Sequence, residues 1–166
     1  MARYADSPTV EVETLVEASP EVVWPLVCDI DLPARFSSEF QGASWIDGAD
    51  GPALDARFKG RNRHEARGDW EATCTVRWYE PERSFGWAVS DVESPAASWR
   101  FGLEPTDEGT RLTFRAQLGP GPSGLTAVIE AMPDKEERIV ENRLNEWREN
   151  MEATVAGIRS LAETAG

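Results

Sequence analysis

From Val10 to Val16 apolar and polar positions alternate: Val10, Val12, Thr14 and Val16 fall on one side, Thr9, Glu11, Glu13 and Leu15 on the other. That period of two predicts a strand. Ser19-Pro20-Glu21 then reads as a helix start, with a polar N-cap, a proline at the first helical position and an acid at the positive end of the helix dipole. Pro25 limits the helix Pro20–Cys28 to a short one, and Asp31-Leu32-Pro33 starts a second short helix to about Phe36. From Phe40 onward period two returns, in segments near residues 40–47, 54–61, 69–79, 84–91, 96–104 and 110–118. Turn signals such as Asp47-Gly48, Arg67-Gly68-Asp69, Glu80-Pro81-Glu82 and Asp107-Glu108-Gly109 separate them. Links this short join antiparallel neighbours, because a parallel crossover takes about a dozen residues or more.

The run Gly119-Pro120-Gly121-Pro122-Ser123-Gly124 ends the strands, and a short apolar segment, Leu125–Met132, precedes Pro133. A long helix is predicted over Asp134–Glu163. Val140, Leu144, Trp147, Met151, Val155 and Ile158 recur there at steps of three and four, an apolar stripe with charges opposite. With no internal repeat, linker or low-complexity tract, the 166 residues read as one α+β domain, residues 1–8 and 164–166 being expected to fray.

Strand parity divides the side chains between two faces. Leu54, Ala56 and Phe58 share one, as do Trp70, Ala72, Cys74, Val76 and Trp78, then Phe85, Trp87 and Val89, then Ala97, Trp99, Phe101 and Leu103, then Leu112, Phe114 and Ala116. Opposite them lie Asp55, Arg57, Lys59, Glu71, Arg77, Arg100, Arg111 and Arg115, a solvated face. Four of the seven tryptophans thus fall on one buried face. Tryptophan is seldom wholly buried and seeks a partner for its N–H, so this wall is either a wide core or an aromatic ligand pocket.

Charge narrows the partners. Seventeen Lys and Arg against 30 Asp and Glu give a net charge of −13, which repels nucleic acid and anionic membranes. No segment approaches the ~20 apolar residues of a membrane span, and the N-terminus lacks the apolar region of a signal peptide. Two distant cysteines, Cys28 and Cys74, make no disulfide framework and fit a reducing cytoplasm. With His64 as the one histidine there is no zinc spacing, and no metal or other cofactor is expected.

The order of elements, together with Glu17-Ala18-Ser19-Pro20-Glu21-Val22-Val23-Trp24, Phe58-Lys59-Gly60-Arg61-Asn62, Glu80-Pro81-Glu82-Arg83-Ser84-Phe85 and Trp99-Arg100-Phe101-Gly102-Leu103-Glu104-Pro105, resembles the SRPBCC (START-like, Bet v 1-like) superfamily, nearest its bacterial polyketide cyclase/dehydrase-type branch. The resemblance implies a helix-grip fold: a seven-stranded antiparallel sheet wrapped around the long C-terminal helix, with two short helices after the first strand plugging one end. It also implies a hydrophobic cavity between helix and sheet, with Trp24 and Phe36 helping to wall it. Phe58, Trp70, Trp78, Trp87, Trp99, Phe101, Phe114, Trp147 and Met151 are the other expected lining residues. The implied function is binding of a small hydrophobic, aromatic or polyketide-like molecule, with or without cyclase/dehydratase activity. The alternatives are a non-catalytic lipid or small-molecule carrier or sensor, and a protein-interaction module like the chaperone activators.

Candidate chemistry is sparse. Asn62 and His64 share the parity of Phe58 if no bulge intervenes, and His64 suits proton transfer near neutral pH; the simpler reading is a histidine on a surface turn. Arg143 and Thr154 fall within the helix's apolar sector, where a few polar groups could orient a ligand. An arginine reaching out from the edge and a threonine bonded to its own helix are the simpler readings. In a cyclase, His64, Arg143 or Tyr79 would have to move the proton. Cys74 is a nucleophile by residue type alone, and a small inert core residue is the simpler reading.

Overall fold

The computed structural model describes residues 2–165. Seven strands, β1 (Thr9–Val16), β2 (Phe40–Ile46), β3 (Arg57–His64), β4 (Gly68–Glu80), β5 (Ser84–Val89), β6 (Ala97–Thr106) and β7 (Gly109–Leu118), form one antiparallel sheet in the order β1-β7-β6-β5-β4-β3-β2. Consecutive strands from β2 to β7 are neighbours, as their short turns require. Strand β1 pairs with β7 at one edge and β2 lies at the other, so the chain must cross the whole sheet between them. Helix α1 (Pro20–Val27) and a 3-10 turn, Leu32–Arg35, make that crossing. The two small helices therefore exist because the first connection is the one that spans the sheet from edge to edge.

Helix α2 (Gly124–Ala131), a 3-10 turn at Pro133–Lys135 and helix α3 (Glu136–Ala165) complete the chain. Val140, Trp147, Met151, Val155 and Ile158 of the apolar stripe are buried, with Leu144 half-buried at its edge. The architecture is an α+β helix-grip arrangement, α3 lying on the face of the sheet that the aromatic residues share.

Several local expectations are corrected. The second short helix is a single 3-10 turn, and the apolar segment after the glycine–proline run is a helix whose Ser123 hydroxyl accepts the Leu125 N–H (3.2 Å). The strand expected from residue 54 starts at Arg57; Asp55 takes a positive φ of 67°, which breaks the alternation and leaves Leu54 58% exposed. At the termini, where fraying is the expectation, the structure shows contacts as far as Arg3. The Arg3 guanidinium meets Glu136, the Tyr4 N–H donates to the same carboxylate (2.8 Å), and the Tyr4 hydroxyl donates to the Gly121 carbonyl (2.5 Å). Thr164 is helical and bonds the Ser160 carbonyl (2.7 Å). Met1 and Gly166, part of the same expectation, lie outside the described residues.

One close approach sets how α3 meets the crossing segment. The Phe36 ring rests on Gly157, where an added Cβ would come within 2.4 Å of the ring. Alanine in place of a mid-helix glycine ordinarily stabilises by up to ~1 kcal/mol. Here Gly157→Ala should reverse the sign and cost about 1–2 kcal/mol in urea unfolding, because the ring must leave its seat. A gain in stability would mean that Phe36 contributes nothing to the docking of the 3-10 turn.

Candidate ligand-binding cavity

Toward α1 the interior is filled. Phe85, Leu112 and Val76 are fully buried, Trp24 packs edge-on against Phe85 (centroids 6.4 Å apart) and tilted on Tyr79 (5.9 Å). Phe101, 1% exposed, is stacked on Phe114 at 3.9 Å with planes 8° apart. Toward α2 the two layers part and enclose a cavity of about 690 Å³, within the ~300–1,000 Å³ usual for small-molecule sites. Its walls are Phe58, Trp70, Trp87, Trp99 and Phe114 from the sheet, Trp147 and Met151 from α3, and Leu125 and Val128 from α2. Exposed residues Arg67 and Val128 on these walls mark where it meets solvent, between the β3–β4 turn and α2.

Of the residues expected to line it, Phe58, Trp70, Trp87, Trp99, Phe114, Trp147 and Met151 are thus brought together. Four are not. Phe101 is sealed behind Phe114, Trp24 belongs to the filled end, and Phe36 is spent on Gly157. Trp78 is on the wrong face. Val76 pairs with Trp87 but Trp78 pairs with Gly86, so Arg77 is an extra residue, a β-bulge that inverts the parity beyond it. Trp78 consequently lies on the outer face, under the Arg100 guanidinium (5.4 Å from the ring), and Tyr79 falls on the face of Trp24 while staying exposed.

One wall is polar. The Arg143 guanidinium is held in a fork by both oxygens of Glu39 (2.6 and 2.7 Å) and also donates to Glu146 (3.2 Å). Arg143 and Glu39 side chains are only 9% and 13% exposed. Burial alone would weaken the Arg143 charge, but the Glu39 carboxylate outweighs it and raises the pKa. Trp147 offers its face to the same guanidinium at 5.7 Å. Arg143 is therefore a buried ion-pair partner, where an arginine reaching out from the edge was the simpler expectation. Thr154 bonds the Asn150 carbonyl of its own helix (2.8 Å), as its simpler reading has it.

His64 sits at the rim. Its Nδ1 accepts the Ala66 N–H (3.0 Å), which places the ring proton on Nε2 facing Glu146 Oε2 (2.7 Å). Both ring nitrogens are engaged, and His64 does not line the cavity. Burial raises the Glu146 pKa, but the His64 hydrogen bond and then Arg143 outweigh it and hold the carboxyl below its ordinary value. Cys74 does line the cavity, yet burial pushes its thiol up to about 12, as it does Cys28, so neither supplies a thiolate near neutral pH. Both are free cysteines. Among the described residues no cluster of three potential ligands could hold a metal ion, and no helix is long and apolar enough to cross a membrane.

Residues 7–152 match the model of the family described as polyketide cyclase / dehydrase and lipid transport. The chain belongs to this family. A polyketide-cyclase-like protein from Corynebacterium glutamicum, solved by NMR, is 31% identical over 95% of this chain and 92% of its own, with a TM-score of 0.64. The crystal structure of the di-domain ARO/CYC BexL from the BE-7585A biosynthetic pathway has a TM-score of 0.70 at 13% identity, covering 94% of this chain and 50% of that one. That of Ara h 8.0201 has a TM-score of 0.55 at 14% identity, covering 95% and 96% of the two chains. These last two likenesses are of fold. No curated protein matches the chain.

Sequence reasoning placed Arg143 and Thr154 on the inner side of α3 but missed their polar neighbours and the part α2 plays. Glu39 and Asn150 gave no periodic signal, Arg67 read as part of a turn, and Leu125–Met132 as an apolar segment without a role.

Proposed function

We propose that this member of the polyketide cyclase / dehydrase and lipid transport family binds a small hydrophobic molecule with an aromatic or polyketide-like body in the cavity between α3 and the sheet. The observation that carries the reading is the single-faced aromatic wall around about 690 Å³ of space. Aromatic rings bind one another best offset or edge-on, and Trp99, tilted at 49° to Trp147 with centroids 4.6 Å apart, leaves its ring to the cavity side. A carrier or sensor needs no more than this. Cyclisation or dehydration would need in addition a proton donor or acceptor facing the ligand. Of the three groups considered for it, His64 and Tyr79 lie off the cavity wall and Arg143 is locked to Glu39. The geometry thus supports binding ahead of catalysis.

Titration with planar aromatic polyketides or flavonoid-like compounds should quench the intrinsic tryptophan fluorescence, and Trp99→Ala should blunt the response. Ala72, on the cavity wall opposite Gly60, offers the matching block. Ala72→Phe puts a ring into the space and should lower affinity by about tenfold or more while the far-ultraviolet circular dichroism stays native. Undiminished binding by a folded Ala72→Phe variant would place the ligand elsewhere.

A further inference from the structure

Two guanidiniums, Arg67 and Arg143, and two carboxylates, Glu39 and Glu71, border the cavity, with Glu146 off its wall, but the guanidiniums are not equally paired. Arg143 has three contacts to carboxylate oxygens, two to Glu39 and one to Glu146. Glu146 in turn takes bonds from Arg143 and His64. Arg67 reaches only Glu146, at 3.7 Å, beyond hydrogen-bond range, and among the described residues its side chain makes no hydrogen bond. A guanidinium has five N–H donors in a fixed fork. Here that fork borders an aromatic cavity, on an exposed residue whose side chain is 28% accessible, at the mouth through which a ligand would enter.

We propose that Arg67 is the specificity-determining residue of this cavity and that the ligand is an aromatic or otherwise apolar molecule carrying one carboxylate, whose oxygens pair with the Arg67 fork while the apolar body lies against Trp70, Trp87 and Trp99. The proposal rests on the binding function argued above. A carboxylate matches the guanidinium fork two oxygens to two N–H groups, shorter and stronger than a neutral acceptor. Burial, and next the Arg143 charge, pull the Arg67 pKa below its ordinary value, with Glu146 and Glu39 offsetting this in part. The charge of an anion beside Arg67 offsets both. Because the whole chain carries −13, a preference for an anionic ligand has to come from a local cation, and among the described residues Arg67 is the cation on the cavity wall whose side chain makes no hydrogen bond.

The test uses anthracene-2-carboxylate and its methyl ester, which share a ring body and differ in charge, titrated against the full chain by tryptophan quenching. The wild type should bind the acid about tenfold tighter than the ester. Arg67→Met should abolish that preference and leave ester affinity within about twofold, the ester serving as the control for an intact cavity. Glu146→Gln, which removes the carboxylate competing for Arg67, should move the preference the other way, further toward the acid. Equal binding of acid and ester by the wild type overturns the proposal, as does a preference that survives Arg67→Met. Acid and ester both weakened equally by Arg67→Met would assign a neutral carbonyl acceptor and overturn the carboxylate. Binding of neither probe would overturn the cavity's binding role along with it, so the two failures are distinguishable.

Discussion

Trp147→Ala is expected to lower the stability of the fold by about 3–5 kcal/mol and, in the same variant, to weaken the binding of aromatic molecules. Trp147 is buried at the centre of the α3 stripe, packed on Trp99 at 4.6 Å and facing the Arg143 guanidinium at 5.7 Å. It is also a wall of the cavity. Removing the indole therefore enlarges a space the surrounding residues already fail to fill, so the loss of packing is not recovered by collapse. The same change strips the ligand of one of the two tilted rings against which it would lie. Urea unfolding gives the first quantity, and probe affinity corrected to the folded fraction gives the second. Lower stability with unchanged affinity would make Trp147 a core residue alone. An unchanged stability would be incompatible with its burial. Trp147→Phe, which keeps a ring at the site, should restore more of the stability than of the binding.

The aromatic wall was legible in the sequence because strand parity and helical spacing are local. Phe58, Trp70, Trp87, Trp99 and Phe114 follow from period two, Trp147 and Met151 from period 3.6, and all seven border the cavity. Periodicity gives the face but not the position along it. Phe101 and Phe114 are register partners on that face, yet one borders the cavity and the other is sealed behind it. Nor does periodicity survive an inserted residue: Arg77 shifts the β4 register, so Trp78 and Tyr79 exchange faces with no mark in composition. The polar wall was beyond reach for a different reason. Arg143 and Glu39 are 104 residues apart, and their pairing depends on how the α3 helix crosses the start of β2. Arg67 reads as a turn residue because it is one; only the folded hairpin shows that its side chain borders the cavity.

The second large effect concerns that buried pair. Glu39→Ala should destabilise the protein by about 3 kcal/mol or more, because it leaves a guanidinium in a poorly solvated place with one carboxylate fewer. Arg143 keeps the single Glu146 bond and the Trp147 face, so the loss belongs near the lower end of the range for breaking buried pairs. The Glu39 backbone adds to its role, since the Arg63 N–H donates to the Glu39 carbonyl (2.9 Å), and that bond survives the substitution. The expected loss is therefore electrostatic and not a matter of unzipping β2 from β3. A double variant separates the two. Glu39→Leu with Arg143→Met removes both charges and retains similar volume, and it should recover most of the stability lost in Glu39→Ala. Urea midpoints of the single and double variants, read as a double-mutant cycle, measure the coupling directly. Should the double variant prove as unstable as the single, the pair would be holding α3 against β2 by its geometry, and the unpaired charge would not be the source of the cost. A further consequence follows at the cavity. With Glu39 gone the polar wall gains net positive charge, so the folded fraction of Glu39→Ala should bind an aromatic carboxylate no more weakly than the wild type does, while its stability falls.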